Sequence, residues 1–533
     1  MACGSSSKST FDPEDAGVTP EDAPGTPGFN EASVVRNDFK DPILDTGVPA
    51  NAPALFGVPD VAPDAAAAGS CLFEPELGTL FPKNWLRPRF RFTAAAAENL
   101  FEIVLTVPNQ TSPLRIYTTK SGYILDKSAW AKITQFGQGT VKVTLRSATV
   151  DAGGKLASGP FKGSSGEVEI APVDATGSIL YWTTSGGTVL KGFSVGDESV
   201  QSVITPAGAG TQCVACHTST PDGLYAGLSA STNPNDGTPS SIALRSVDGK
   251  LTEPPFLTPT GKQLLARTPQ YAPSFSKAHW ANGDHTALTM FPLAGKTEIV
   301  WTNIETADPA QNVGWGVIAR TGDTGSASSA AFSHDGTKIA YVSTTSTGAG
   351  VISPDGKLFE VPYGNRMGGP AKALAGASDP AFVQFYPTYS ADDRLVAFNR
   401  VPTKVPAATN PTYNNPEAEV FVVAAGAGGT ATRLAANDPP ACLTAKKSPG
   451  VTNSWPKWSP EVTSSGGKEY YFLVFSSTRN VASQGPQLYV APIVVSGGQI
   501  KSYPALYFWN QPELENNHTP AWDIFKLPGT DPK

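Results

Sequence analysis

The stretch Ala330-Ala331-Phe332-Ser333-His334-Asp335-Gly336, followed by the apolar run Ile339-Ala340-Tyr341-Val342, carries the pattern that decides the fold. A small residue or Pro precedes an aromatic residue and Ser, a turn with Asp or Gly comes next, and a strand-like run ends the motif. The frame recurs, with copies that start at residues 217, 273, 330, 387, 456 and 520. These six copies predict a repeat architecture.

Each repeat predicts a four-stranded antiparallel sheet, and sheets of this size bury themselves by packing in a ring. The last copy leaves room for one strand only, so Ser178–Trp182 and Val189–Phe193 would complete that blade and close the ring. The Ser-Pro-Asp-Gly-like turns resemble TolB-like propeller repeats over residues 176–533, which implies a periplasmic binding scaffold. We therefore expect an all-β protein with a six-bladed β-propeller over residues 173–533.

The composition agrees with a β protein of several domains. The 533 residues include 52 Gly and 48 Pro, and only 16% are charged, which disfavours coiled coils and helical bundles. The net charge is −7, but residues 1–70 alone hold eleven acidic residues against Lys8, Arg36 and Lys40. The remainder is nearly neutral, so a nucleic-acid partner is not expected.

The first 75 residues are rich in Pro, Ala and acidic residues and predict a disordered tether. The start Met1-Ala2-Cys3-Gly4-Ser5 resembles the sequence that follows a bacterial lipoprotein signal. That resemblance implies membrane association through a lipid anchor on Cys3, at the bacterial cell envelope. An ordinary cytosolic N-terminus is the alternative.

Residues 76–172 predict a second β unit. Arg89–Phe92, Phe101–Leu105, Leu114–Tyr117 and Val141–Leu145 alternate or cluster apolar residues as half-buried strands do. About 95 residues of such strands suggest a two-sheet sandwich, similar to fibronectin type III-like modules.

The string Cys213-Val214-Ala215-Cys216-His217 is a C-x-x-C-H motif, typical of covalent haem c attachment. Two thiols add to the vinyl groups of one porphyrin edge, and the adjacent imidazole reaches the iron. We expect one haem c per chain, with His217 as an iron ligand. A redox dithiol, half of a zinc site and coincidence are the alternatives. In an oxidising compartment Cys71 and Cys442 are free to form a disulfide, although nothing in the sequence brings them together.

The repeats place the motif at the mouth of the central channel. The two columns before the Pro position contain Tyr271, Tyr386 and Trp455, which we expect to pack a porphyrin. His518 holds the matching position of the neighbouring blade and is the leading candidate for the distal iron ligand. A polar His in a loop is the alternative, and His279, His285, His334, Met290 and Met367 are weaker candidates.

The expected function is electron transfer by a monohaem cytochrome, with a redox or envelope protein as partner. A binding scaffold with a structural or sensory haem is the first alternative, and a haem enzyme of peroxidase type, with His518 as its base, is the second. No nucleophile triad, phosphate-binding loop or catalytic carboxylate pair is recognisable. The pattern does not decide whether the protein is an enzyme, but electron transfer or binding is favoured over catalysis.

Overall fold

The structure, a computed structural model, describes residues 34–61, 69–231, 241–267, 271–307, 313–346, 353–403, 412–426, 429–483 and 485–528. Strands dominate this part of the chain, as the composition predicts. Strand-to-strand pairing divides it into an N-terminal β unit and a series of propeller-like sheets. No helix of the described residues has the length and apolar character needed to cross a membrane.

The N-terminal unit has two sheets and two helices. One sheet has the strand order β1-β6-β5-β8-β9-β3 and the other β2-β4-β7. The elements are β1 (Ile43–Leu44), α1 (Ala52–Leu55), β2 (Cys71–Glu74), β3 (Leu80–Phe81), β4 (Arg89–Thr93), β5 (Leu100–Thr106), β6 (Leu114–Thr118), β7 (Gly122–Ile124), α2 (Lys127–Phe136), β8 (Gly139–Val150) and β9 (Leu156–Ile170).

The disordered tether predicted over residues 1–75 extends too far towards the C-terminus, because β1, α1 and β2 lie before residue 76. Strand β1 pairs in parallel with β6, and Phe39, Ala52 and Phe56 are buried against the unit. These few apolar side chains suffice to order an otherwise polar segment because a preformed sheet receives them. Strand β2 also lies before residue 76. Residues 1–33, with Cys3, lie outside the described residues.

Six further sheets follow in chain order. Sheet 1 is β12-β11-β10-β36, sheet 2 is β13-β14-β15, sheet 3 is β16-β17-β18-β19, sheet 4 is β21-β22-β23-β25, sheet 5 is β26-β27-β28-β29, and sheet 6 is β30-β32-β33-β34 with β31 and β35 added. Strands β20 and β24 form a small separate pair.

The bounds of these elements match the repeats. They are β10 (Ser178–Thr183), β11 (Val189–Ser194), β12 (Gln201–Ile204), α3 (Pro206–Ala209), β13 (Cys213–Ser219), β14 (Tyr225–Ser231), β15 (Ser241–Ser246), α4 (Pro259–Ala266), β16 (Ser274–Phe275), α5 (Lys277–Ala281), β17 (Thr286–Leu293), β18 (Lys296–Asn303), β19 (Trp315–Val317), β20 (Arg320–Thr321), β21 (Ser326–Phe332), β22 (Lys338–Thr344), β23 (Lys357–Pro362), β24 (Gly369–Pro370), β25 (Lys372–Ala373), β26 (Phe382–Tyr389), β27 (Leu395–Pro402), β28 (Glu419–Ala424), β29 (Thr432–Arg433), a 3-10 turn (Ala435–Asn437), β30 (Ser454–Trp458), β31 (Thr463–Ser465), β32 (Lys468–Ser477), β33 (Gln487–Ser496), β34 (Gln499–Ser502), β35 (Leu506–Tyr507) and β36 (Asn517–Asp523).

Consecutive sheets pack face to face, and the series closes on itself. A separate cluster of buried apolar side chains joins each sheet to the next, from sheets 1 and 2 through to sheets 5 and 6. The cluster between sheets 6 and 1 is continuous with the core of the N-terminal unit. The predicted pairing of the last strand with Ser178–Trp182 is present as β36 on β10. We call this closed series the ring.

The repeated turn is a hydrogen-bonded unit that fixes where each inner strand ends. In the copy at Ser333, the hydroxyl donates to Asp335 Oδ1 over 2.6 Å and accepts from the amide of Lys338 over 3.0 Å. Thr220 and Ser390 make the same pair of contacts. Gly336 has φ +72°, a conformation that glycine adopts without strain. The motif residues thus have the structural role that turn chemistry predicts.

Candidate functional site

The first strands of the repeats share a distortion at the same position, next to the axis of the ring. Antiparallel pairing shifts register between Val214 and His217 in β13, and equivalent shifts interrupt β21, β26, β30 and β36. Residues with left-handed backbone lie at four of these bulges, at φ angles of 50° for Ser329, 55° for Tyr386, 60° for Trp455 and 49° for Thr519. Tyr271, just before β16, has a φ angle of 81°. Bulges re-aim side chains, and here they direct them inwards.

These side chains converge on one small cavity, the axial cavity. It measures about 60 Å³ and is lined by Cys216, Tyr271, Ser329, Tyr386, Trp455 and Thr519, together with their neighbours His217 and Lys457. Such a volume holds roughly five water molecules. The predicted aromatic residues therefore do meet at the axis, but they pack against one another. The rings of Tyr386 and Trp455 stack with centroids 3.8 Å apart.

The two cysteines of the motif have different surroundings. Cys216 lines the axial cavity, and burial raises the pKa of its thiol to about 11. Both cysteines are partly exposed, but Cys213 is not among the residues that line the cavity and has its Sγ 3.7 Å from Val214 O. A thiol with a raised pKa stays protonated and is a poor nucleophile, so Cys216 does not have the character of a redox-active dithiol.

His217 points into the blade interface. Its Nε2 lies 3.0 Å from Leu180 O in sheet 1, and its Nδ1 lies 3.3 Å from Ala215 O. Burial lowers the pKa of His217 to about 4, so the ring is neutral at physiological pH. A neutral imidazole has one N–H and donates to only one of these two carbonyl groups, of which Leu180 O is the nearer.

His518 lies beside His217, as the alignment of neighbouring repeats predicts. Its Nδ1 is 2.8 Å from Thr519 Oγ1, and its ring packs on Trp182 with centroids 4.7 Å apart. Burial and the neighbouring His217 lower the pKa of His518 to about 4. Within the part of the chain that the structure describes, no three His, Cys, Asp or Glu side chains form a group that could hold a metal ion.

A covalently attached haem does not fit this arrangement. Both thiols must reach one porphyrin edge, whereas Cys216 lines the axial cavity and Cys213 does not. The axial cavity of about 60 Å³ is well below the roughly 300–1,000 Å³ of sites for drug-sized ligands and cofactors. His217 also directs Nε2 at a carbonyl group. The haem expected from the motif remains a prediction.

Sequence reasoning missed Lys457, which lines the axial cavity and also a second cavity further along the channel. Among the described residues its ammonium group has no hydrogen bond or ion pair. Burial lowers the pKa of Lys457, and the nearby Cys216 raises it in part. An alignment of the repeats would have indicated Lys457. The position after the Pro column holds an uncharged residue in the other repeats: Thr218, Ser274, Ala331, Thr388 and Ala521. Lys457 is the one charged residue in that column.

The second cavity, here the turn-side cavity, lies among the repeated turns and measures about 120 Å³. Lys277, His334 and Asp523 line it together with Lys457. Burial raises the pKa of Asp523. The hydrogen bond from the Ile524 amide and the nearby His334 and Lys277 lower this pKa in part. His334 is held by Asp393, with Nδ1 2.9 Å from Oδ1. The channel thus carries more basic than acidic groups.

The remaining candidates for an iron ligand lie elsewhere. His279 Nε2 is 3.0 Å from Gly336 O, and His285 Nδ1 is 3.0 Å from Glu305 Oε1. Met290 is buried in the core between sheets 3 and 4, and Met367 is 66% exposed. Neither methionine lines the axial cavity.

Comparison with known proteins identifies no family and no curated relative for this chain. Solved structures with a distant likeness include the Kuenenia stuttgartiensis hydrazine synthase, with 12% identity, a TM-score of 0.29, and coverage of 64% of this chain and 75% of that one. A putative 6-phosphogluconolactonase from Bacteroides uniformis has 13% identity, a TM-score of 0.31, and coverage of 62% and 83%. Likenesses at this level carry no argument about function, which is therefore argued from the site alone.

Proposed function

We propose that the protein is a binding protein of the bacterial cell envelope that accepts an acidic group of its ligand in the central channel, against Lys457. The channel belongs to a six-bladed β-propeller, and a fibronectin type III-like sandwich precedes it. The closed series of sheets and the two sheets of the N-terminal unit support this description of the fold.

The observation that carries the proposal is the position of Lys457. Lys457 is half-buried, and a charge that loses part of its hydration is stabilised by an opposite charge nearby. The Cys216 thiol cannot neutralise the ammonium group, since its raised pKa keeps it protonated. No carboxylate of the described residues contacts Lys457. The missing counter-charge is therefore expected from a ligand, for which the turn-side cavity has room for roughly ten water molecules.

The location at the cell envelope has separate support. The structure contains the Cys71–Cys442 disulfide, and structural disulfides form and persist in oxidising compartments. An anchor on Cys3 belongs to the same proposal, although Cys3 lies outside the described residues.

Replacing Lys457 should remove binding of small polycarboxylates. We expect citrate to raise the melting temperature of the unaltered protein, because a ligand that binds only the folded state stabilises it by RT ln(1 + [L]/Kd). The Lys457→Met variant should show no such increase. Lys372→Met is the matched control, since Lys372 is exposed on β25 and far from the channel in sequence and sheet position. Equal responses of all three proteins in differential scanning fluorimetry would reject the proposal.

A monohaem c-type cytochrome is the second candidate, favoured by the C-x-x-C-H string and by the two neighbouring histidines. Because the site does not fit a porphyrin, we expect the protein made in a host with haem c maturation to lack covalent haem after acid extraction. The absorption spectrum and a haem stain of a denaturing gel measure this.

A covalent haem in that experiment would instead establish the cytochrome candidate. A six-coordinate low-spin spectrum that ignores peroxide would then indicate electron transfer, and turnover of peroxide by a high-spin haem would indicate a peroxidase. The Cys213→Ser, Cys216→Ser variant is the control, since it cannot form thioether bonds.

A further inference from the structure

Some residues line both the axial cavity and the turn-side cavity, and they mark the place where the two cavities meet. They are Thr218, Ser274, Ala331 and Lys457. Each holds the position after the Pro column in its own repeat, so these residues lie at one level of the channel. We call this level the junction.

The polar side chains at the junction are hydrogen-bond donors. Among the described residues, the Thr218 hydroxyl makes no hydrogen bond, although it borders both cavities. The Ser274 hydroxyl accepts from the amide of Phe332 over 3.0 Å, and its own O–H remains available to donate. The Lys457 ammonium group adds a positive charge and further N–H donors. The junction therefore combines one cation with two hydroxyl groups.

These donors approach the axis from different sides of the ring. Thr218 belongs to β13 in sheet 2, Ser274 to β16 in sheet 3, and Lys457 to β30 in sheet 6. In a closed series of six sheets, sheet 6 lies opposite sheet 3 and two positions away from sheet 2. A group held at the junction thus has donors on opposite sides of it.

The other charged groups of the channel leave the junction positive. Asp523 is the one carboxylate among the described residues that line the turn-side cavity, and none lines the axial cavity. Its Oδ1 accepts from the amide of Ile524 over 2.8 Å, and Lys277 and His334 lie within electrostatic range of it. Asp523 therefore has basic neighbours of its own and is not the counter-ion of Lys457.

We infer that the acidic group accepted in the channel is a tetrahedral oxyanion, a phosphate or sulfate group, held at the junction by Lys457, Thr218 and Ser274. This inference rests on the proposed function and narrows its ligand class. The oxygens of a tetrahedral anion point in different directions and accept from donors all around it, whereas the two oxygens of a carboxylate lie on one side. Hydrogen bonds from a lysine ammonium group to such an anion are strengthened by charge.

Isothermal titration calorimetry of the full chain with inorganic phosphate, inorganic sulfate and acetate tests the inference. Calorimetry is used because sulfate and phosphate stabilise folded proteins without specific binding, so a thermal shift alone would mislead. At equal ionic strength we expect saturable binding of a tetrahedral anion and at least about tenfold weaker binding of acetate, which has fewer acceptors for these donors. The anion that binds more tightly identifies the ligand as a phosphate or a sulfate compound.

Variants of the junction show whether its hydroxyl groups take part. Thr218→Val and Ser274→Ala should each weaken phosphate or sulfate binding about tenfold or more, the loss expected for one hydrogen bond to a charged group. Lys457→Met should abolish it. Thr218→Val keeps the shape of the side chain, so it remains informative if Ser274→Ala disturbs the strand. Thr432→Val, on the outer strand β29 of sheet 5, is the matched control and should bind like the unaltered protein.

Citrate separates this inference from the proposed function. If binding of citrate depends on Lys457 but the two hydroxyl variants bind phosphate and sulfate as tightly as the unaltered protein, the assignment to a tetrahedral anion is wrong and the proposed function stands. Acetate binding as tight as that of both tetrahedral anions would overturn the inference in the same way. If no anion, citrate included, binds in a manner that depends on Lys457, the inference and the proposed function both fail.

Discussion

A chain that ends at Glu515 is expected to lose the cooperative fold of the ring. The deletion removes β36, in which six of seven residues are buried and which pairs with β10 through Ile179–Trp522 and Leu180–Ala521. Loss of a buried Trp alone costs about 3–5 kcal/mol, and the net stability of a domain is about 5–15 kcal/mol. The other buried side chains of the strand and the exposed edge of β10 add to this cost.

The measurement is near-ultraviolet circular dichroism with thermal unfolding, supported by limited proteolysis. A chain that ends at Pro528 is the control, since it keeps β36 and the hydrogen bond from Gln201 to Pro528 O. We expect this control to unfold like the full chain, and the shorter chain to show no cooperative transition. Native-like melting of the shorter chain would show that β36 does not close the ring.

Removing the Cys71–Cys442 disulfide is expected to lower the free energy of unfolding by about 2–5 kcal/mol. The bond joins residues 371 positions apart, so it restricts a very long loop in the unfolded chain. It also fastens β2 of the N-terminal unit to the loop before β30. The double variant Cys71→Ser, Cys442→Ser and chemical reduction of the unaltered protein should have the same effect.

Urea unfolding under oxidising conditions measures the difference as a shift in midpoint. The matched control is Cys213→Ser, Cys216→Ser, because both of these cysteines are free in the structure. We expect this control to have the same urea midpoint as the unaltered protein. On reduction, its midpoint should fall by the same amount as that of the unaltered protein. Equal midpoints for all three oxidised proteins would show that the disulfide does not stabilise the folded protein.

The repeats were predictable because they depend on local chemistry. Ser333, Asp335 and Gly336 close a turn by hydrogen bonds within six residues, so the motif appears in the sequence wherever the turn occurs. The strands predicted at Arg89–Phe92 and Phe101–Leu105 are present for a similar reason, since apolar side chains at strand spacing indicate one buried face. Helix α2 was missed, because residues 76–172 were interpreted as strands throughout.

The candidate site was predictable in position but not in chemistry. Aligned repeats place His217, His518, Tyr386 and Trp455 near the axis. In the structure His217, Tyr386 and Trp455 line the axial cavity, and His518 lies beside His217. The direction of each side chain depends on a bulge and on the facing sheet. His217 therefore meets Leu180 O, a contact between residues 37 positions apart that no local pattern reveals.

The sequence by itself determined the repeats, their turns and the strand that closes the series, because these follow from hydrogen bonds and apolar spacing among neighbouring residues. Only the tertiary structure decided that the Cys213 and Cys216 side chains have different surroundings, that Cys71 meets Cys442, and that Lys457 has no ion pair among the described residues. The physical reason is that burial and pairing depend on which distant side chains the closed ring brings together.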